Sequence, residues 1–117
     1  MKLTWMKLKA QIFVGDEIAI GPGKADLLDA IERTGSISAA GRALGMSYRR
    51  TWMLVDTMNR CWKEPLVTTM LGGAKGGGAK VTPYGHEILA QYRDLEQRLE
   101  TEAAAGPGPA LLSGLSG

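Results

Sequence analysis

The chain has 117 residues, with 14 Lys or Arg against 12 Asp or Glu and a formal net charge of +2. This length predicts one domain, and no apolar run reaches the roughly 18 residues of a membrane helix, so we expect no membrane association. A single cysteine, Cys61, excludes an internal disulfide, and the N-terminus has no cleavable signal pattern, so we expect a cytoplasmic protein.

The first predicted element is a β-hairpin. Residues 8–14 alternate apolar and polar, as expected of a half-buried strand, and Gly15-Asp16 is a turn signal. Residues 17–20 can return as a second strand. After a break at residues 21–23, the apolar spacing predicts a helix over residues 24–33.

Residues 36–62 predict a short helix, a tight turn and a longer second helix over residues 47–62. Ser36 and Ser47 can cap the two helices, because a serine hydroxyl accepts from the unpaired amides of the first turn. Gly45 lies where a helix commonly ends in a left-handed residue. The apolar side of the second helix, which we expect in the core, comprises Tyr48, Thr51, Trp52, Val55, Met58 and Trp62.

The other side of the second helix carries arginines near its start. Arg49 lies there with Met53, and Arg50 flanks them. Guanidinium groups match both the acceptor pair of guanine and phosphates, and the first residues of the second helix of a helix-turn-helix contact base edges. The alternative is a pair of amphipathic helices with a solvated charged face.

Residues 66–71 and 80–82 favour two strands, joined by a glycine-rich tip that carries Lys75. The backbone of such a wing, residues 72–80, could approach a phosphate chain closely, with Lys75, Gly76 and Lys80 beside it. The alternative is a flexible loop without contacts. A nucleotide-binding P-loop is not indicated, because G-x-x-x-x-G-K-[ST] is absent.

Thr82 and Pro83 begin the last predicted helix. Its apolar seam is close to a heptad pattern and predicts a dimer contact, unless it packs entirely within the monomer. The predicted dimer residues are Ile88, Tyr92, Leu95 and Leu99. We expect one domain over residues 1–102 and a disordered Pro/Gly/Ser-rich tail over residues 103–117.

Charge is distributed unevenly along the chain. Residues 36–82 carry seven Lys or Arg against two Asp or Glu, whereas residues 83–117 carry two against five. Positive charge is therefore concentrated on the helix-turn-helix and the segment after it. A polyanion is the expected partner of such a surface.

These elements together resemble the N-terminal DNA-binding domain of the ModE family of molybdate-responsive transcription regulators, although the helix-turn-helix alone is also similar to the LysR family. The resemblance is carried by GPGKADLLDAI at 21–31, TGSISAAGRALGMSY at 34–48, W at 52, MN at 58–59, GGAKGGGAKVT at 72–82 and YG at 84–85. It implies an α+β, mainly helical fold: a winged helix-turn-helix with an N-terminal β-hairpin and a long C-terminal dimerisation helix. It also implies a homodimer that binds double-stranded DNA upstream of transcription units.

The residue faces and the resemblance together predict a DNA-binding set. Its members are Ser36, Ser38, Arg42, Ser47, Tyr48, Arg49, Arg50, Met53, Lys75, Gly76 and Lys80. Full-length members of the family continue into β-rich molybdate-binding domains, and residues 1–117 contain no similar sequence. We therefore expect no cofactor here and leave open whether an oxyanion or another small-molecule effector controls the protein.

Two other classes of protein are alternatives to a DNA-binding regulator. A small enzyme would need a base, a nucleophile or a metal site, and the sequence offers one histidine, His86, without a second ligand at metal-binding spacing. We therefore predict no catalytic residue and no metal ligand. A winged-helix module that binds only proteins would be expected to lack both the arginines of the second helix and a basic wing.

Overall fold

The computed structural model describes residues 3–70 and 78–116. Helices predominate, and each of the two sheets is a two-stranded antiparallel hairpin. In chain order the elements are β1 (Ile12–Val14), β2 (Glu17–Ile20), α1 (Pro22–Thr34), α2 (Ile37–Ala43), α3 (Tyr48–Cys61), β3 (Val67–Met70), β4 (Gly78–Val81), α4 (Pro83–Ala103) and α5 (Pro107–Ser113). This mixed, mainly helical architecture is compatible with a winged helix.

The helix starts follow the caps that the sequence predicts. The Ser36 hydroxyl accepts from the Ala39 amide at 3.1 Å, and the Ser47 hydroxyl accepts from the Arg50 amide at 3.1 Å. Thr82 accepts from the Gly85 amide at 2.9 Å and begins α4. Each bond satisfies an amide that lacks a partner within its helix, so these three helix boundaries are encoded locally.

One core holds the elements together. The buried stripe of α1 packs against α2, the inner face of α3, the ends of both wing strands and the first half of α4. Its largest fully buried side chains are Ile20, Leu27, Leu28, Ile31, Thr51, Met58 and Leu66. Thr51 is the polar member of this set, and its hydroxyl donates to the Ser47 carbonyl at 2.7 Å.

Helices α2 and α3 cross at Gly41. A Cβ atom at this position would overlap the Thr51 side chain, so only glycine permits the observed approach. The connecting turn contains Gly45 at φ +72°, the left-handed conformation predicted for it. The Met46 amide donates to the Gly41 carbonyl at 2.8 Å and closes the turn. This crossing fixes the direction of α3.

Asn59, near the end of α3, anchors the second hairpin. Its side-chain oxygen accepts from the amides of Leu66 and Val67 at 2.9 and 3.1 Å, and its side-chain nitrogen donates to the Val67 carbonyl at 3.0 Å. On the other strand, the Ala79 amide donates to the Gly35 carbonyl at 2.8 Å. The base of the wing is therefore held against both α3 and the α1–α2 turn.

Two sequence expectations differ from the structure. The predicted strand over residues 8–14 is limited to β1, and Leu8, Ile12 and Val14 of its apolar face are exposed. Residues beyond 103 were expected to be disordered, yet α5 forms there. Pro107 begins that helix at a position where no amide is needed, and Gly108 lets it pack against the Ala103 carbonyl.

Among the described residues, the helices are too short or too polar for any of them to cross a bilayer.

Candidate nucleic-acid interface

The first two turns of α3 form the most cationic exposed surface of the helix pair. Arg49 and Arg50 are both exposed, and no carboxylate of the described residues lies within salt-bridge distance of either guanidinium. Met53 lies one turn on and is 58% exposed. The Ser47 cap holds this first turn in place. The two arginines are therefore free to contact a partner.

The other end of α3 is neutralised. Arg60 donates from Nε to Asp56 at 2.9 Å and from Nη1 to Glu17 at 3.0 Å. These hydrogen bonds, first to Asp56 and then to Glu17, raise the pKa of Arg60. Asp56 is itself exposed and holds this arginine through the hydrogen bond to its Nε. Positive charge on α3 is thus available only at its N-terminal end.

The aromatic residues of α3 do not lie where the helical pattern predicts. Tyr48 is 68% exposed and Trp52 is 37% exposed, so the expectation that they anchor the helix in the core is wrong. The Thr51 side chain lies against Gly41 of α2 and is fully buried, whereas the two rings are not. Their centroids are 6.2 Å apart at an interplanar angle of 59°. Tyr48 is therefore exposed in the first turn of α3, next to Arg49 in sequence.

The start of α2 borders a shallow cavity of about 270 Å³ beside α3. Ser36 and Ser38 line it together with Trp52 and residues of both wing strands. The Ser36 hydroxyl accepts a capping bond and still has its own proton to donate. Arg42 is exposed in the last turn of α2. This cavity joins the helix pair to the base of the wing.

The wing contributes one described cation. Lys80 is exposed on β4 and pairs in register with Thr68 of β3, which is also exposed. Lys75 and Gly76, the other predicted wing contacts, lie outside the described residues. The strands themselves confirm the predicted hairpin, shifted to Val67–Met70 and Gly78–Val81.

Among the described residues, the histidine and the cysteine do not form a catalytic or metal-binding cluster. His86 Nε2 lies 3.2 Å from a Glu32 carboxylate oxygen on the surface. Burial raises the pKa of the Cys61 thiol, which disfavours the thiolate that a nucleophile requires. No cluster of three or more His, Cys, Asp or Glu suitable for a metal ion occurs in the part of the chain that the structure describes.

The chain is similar in sequence to several known proteins. No family model matches it. It is 46% identical over 78 residues to the molybdenum transport protein ModE of Azotobacter vinelandii, and 33% identical over 101 residues to the DNA-binding transcriptional dual regulator ModE of Escherichia coli. It is also 47% identical over 77 residues to the molybdenum-pterin-binding protein MopB of Rhodobacter capsulatus. The chain belongs to the ModE family.

The alignments span most of this chain but only about a third of the length of the relatives. The alignments cover 67% of the chain with the Azotobacter protein and 86% with the Escherichia protein. They cover only 29% and 36% of those proteins. The relatives are named as regulators, transport proteins or pterin-binding proteins, not as enzymes. The resemblance inferred from the sequence motifs is confirmed.

The predicted ModE-like dimer seam divides into two halves. Ile88 and Tyr92 are buried within the single chain, and the Tyr92 hydroxyl donates to the Ala10 carbonyl at 2.7 Å. Leu95 and Leu99 are 37% and 39% exposed. The alternative of packing within the monomer therefore holds for the first half of the seam, and only the second half is free to meet a partner.

Sequence analysis did not identify the apolar surface beside that exposed half. Trp5, Leu8, Phe13 and Val14 are all exposed in the N-terminal segment and β1. The signal was present in the alternation of residues 8–14, which predicts a buried face. It did not show that Leu8 and Val14 of this face are exposed in the described part of the structure.

Proposed function

We propose that residues 1–102 are a winged helix-turn-helix that binds double-stranded DNA as part of a ModE-type transcriptional regulator of molybdenum metabolism. Helix α3 enters the major groove, and the wing over residues 72–80 follows the phosphate backbone. Support comes from the relatives named as DNA-binding or transcriptional regulators and from the geometry of the helix pair.

The observation that carries this proposal is that Arg49 and Arg50 have no carboxylate partner among the described residues. Both are exposed at the start of α3, whereas Arg60 on the same helix is held by two carboxylates. Guanidinium groups without an internal partner keep their donors for guanine or phosphate. Met53, one turn on, is placed to contact a thymine methyl group.

The flanking residues fit contacts to the DNA backbone. Ser36 and Ser38 at the start of α2, together with Ser47 and Tyr48 at the start of α3, offer hydroxyl donors to phosphates. Arg42 and Lys80 add charge on either side. Contacts of this kind set position and affinity, while Arg49 and Arg50 supply sequence discrimination.

A homodimer completes the proposed function. Leu95 and Leu99 on α4 and Phe13 and Val14 on β1 are exposed apolar side chains, and exposed apolar patches commonly mark interaction sites. A two-fold contact through these residues would bury them and present two α3 helices. Helices of a symmetric dimer read half-sites about 34 Å apart, or a multiple of that distance.

The test of DNA recognition is a binding titration with a fragment from upstream of the protein's own transcription unit and with random DNA of equal length. Arg49→Ala should weaken binding to the specific site by about 5- to 150-fold, the equivalent of losing one bidentate guanine contact. Random DNA should be affected much less. Arg60→Ala is the matched control, because that guanidinium already has two internal partners.

Equal losses for Arg49→Ala and Arg60→Ala would contradict the assignment of the α3 faces. Specific binding unchanged by Arg49→Ala and by Arg50→Ala would indicate a protein-interaction module instead.

The dimer is tested by sedimentation equilibrium. Leu99→Glu should weaken self-association at least about tenfold, because a charge would be buried in the contact. Gln97→Glu adds the same charge at another exposed position of α4 and should leave self-association unchanged. A monomeric wild-type chain, or equal effects of both variants, would count against this interface.

A further inference from the structure

Lys24, in the first turn of α1, is a cation with an unusual environment. The residue is 8% exposed, and lysine is almost never buried to this degree without a partner. Among the described residues, no carboxylate or carbonyl oxygen lies within hydrogen-bond distance of its ammonium group. Burial lowers the pKa of Lys24, and the positive charge of Arg50 acts in the same direction.

This lysine lines a cavity of about 240 Å³ between the start of α1 and the start of α3. Lys9 and Arg50 line the same cavity, so three cationic side chains surround it. No fully buried side-chain nitrogen or oxygen of the described residues lacks a partner. The unpaired Lys24 ammonium must therefore keep its small exposed surface, and the cavity is the space that Lys24 lines.

The backbone at the start of α1 adds donors to this cavity. The helix is 13 residues long, its N-cap Gly21 provides no side-chain cap, and its first turn has no acidic residue. The amides of Gly23 and Lys24 have no backbone acceptor among the described residues. Free amides and the positive end of the helix dipole both favour an anion at this position.

Two glycines and a glutamine shape the entrance. A Cβ at Gly21 would lie 3.2 Å from the Gln11 side chain, so glycine lets Gln11 close over the helix start. A Cβ at Gly23 would meet nothing within 4 Å, which leaves open space beside its amide. Gln11 lines the cavity and can donate from its amide group.

Among the described residues, no carboxylate lines the cavity to compensate this charge. Glu17 is the acidic residue that acts on Lys24 through space, but it does not line the cavity. Its two carboxylate oxygens accept from Arg60 at 3.0 and 3.1 Å. The cavity therefore carries an excess of positive charge, which favours an anionic ligand.

We propose that this cavity binds one tetrahedral oxyanion, either a phosphate group or an ion of the same shape, through Lys24, Arg50, Lys9 and the free amides of Gly23 and Lys24. The volume is several times the roughly 30 Å³ share of one water molecule, so the anion fits with part of its hydration. The oxyanion is either a free ion or a phosphate of bound DNA. Only the second source rests on the function proposed above.

The first experiment titrates ¹⁵N-labelled protein with sodium phosphate, using sodium chloride at equal ionic strength as the reference. If the site takes a free oxyanion, the amide signals of Gly23 and Lys24 should shift saturably with phosphate and not with chloride. Lys24→Gln should weaken phosphate binding at least about tenfold, as expected for losing a charged hydrogen-bond donor. Lys63→Gln removes an exposed charge just beyond α3 and should change nothing.

The second experiment measures binding to the specific duplex over a range of salt concentrations. If the oxyanion is a DNA phosphate, Lys24→Gln should reduce the slope of log K against log salt by about 0.9, while free phosphate fails to saturate the amide shifts. If it is a free ion, phosphate saturates and the slope is unchanged. If Lys24→Gln does not fold, the phosphate titration is repeated with Arg50→Gln, a substitution at an exposed position.

Amide signals that ignore phosphate, together with an unchanged salt slope in Lys24→Gln, would overturn the oxyanion site and leave DNA binding by α3 intact. Phosphate saturation in a protein that binds no duplex would have the opposite meaning. The function proposed above would then fail, and the oxyanion site would stand.

Discussion

Arginines on two surfaces of this chain have opposite surroundings. Arg93, on α4, donates to Asp26 at 2.9 Å and Asp29 at 2.6 Å, both on α1, and to Glu96 at 2.8 Å on its own helix. Arg49 and Arg50 on α3 have no carboxylate at that distance among the described residues. The first arginine joins two helices, and the other two remain available to a ligand.

The difference shows how one residue type can serve either folding or recognition. Burial alone lowers the pKa of Arg93, but the hydrogen bonds to Asp29, Glu96 and Asp26 raise it overall. Its charge is thus more than neutralised by three carboxylates, so Arg93 does not create a positive surface there. The α3 arginines are not matched, so their field reaches the solvent and can attract a polyanion.

The largest effect on the α3 arginines is expected from a substitution that disturbs the α2–α3 crossing. Gly41→Ala forces a Cβ into Thr51, so α2 and α3 must separate. Overpacking of this kind should lower the free energy of unfolding by about 1–3 kcal/mol and weaken specific DNA binding as well. Urea denaturation and the duplex titration measure the two effects.

Gly23→Ala is the control, because its Cβ meets nothing within 4 Å. It should leave the free energy of unfolding unchanged or slightly higher, as alanine is favoured over glycine in a helix. If Gly41→Ala were as stable as wild type, the close crossing would not be what fixes α3.

Local signals predicted much of the fold from sequence. The three capping residues and the turn glycine act within a few residues of themselves, so Ser36, Ser47, Thr82 and Gly45 were placed correctly. Both hairpins followed from β-branched runs and turn residues. The arginines at the start of α3 were also placed correctly, because a charged residue opposite an apolar stripe has no route into the core.

Contacts distant in sequence account for the errors. On α3, Thr51 fills the contact with Gly41 of the preceding helix, and the helical pattern alone could not show that Tyr48 and Trp52 are left exposed. The short-range pattern likewise could not show that Tyr92 meets the Ala10 carbonyl, 82 residues away. Burial of Lys24 depends on β2 and α3 closing over α1, so its cavity was not predicted.

Arg93→Ala tests whether the arginine on α4 serves folding and not DNA binding. Three carboxylates would lose their shared cation, and the free energy of unfolding should fall by about 1 kcal/mol, the upper range for partly exposed ion pairs. Specific DNA binding should be unchanged, because the cluster lies on the α1–α4 face. Arg98→Ala, which removes a single exposed pair with Asp94, should cost less than about 0.5 kcal/mol. Equal costs would mean that the cluster is not cooperative.

The last prediction concerns Lys80, at the edge of the proposed DNA-binding surface. Lys80 is exposed on β4, next to the wing tip, and lies opposite Thr68 rather than a carboxylate. Lys80→Gln should weaken binding to specific and random DNA alike and reduce the salt slope by about 0.9, since one phosphate contact is lost. The free energy of unfolding should stay within about 0.5 kcal/mol of wild type. An altered preference among DNA sequences would instead indicate that the wing contacts bases, and sequence discrimination would then not belong to α3 alone.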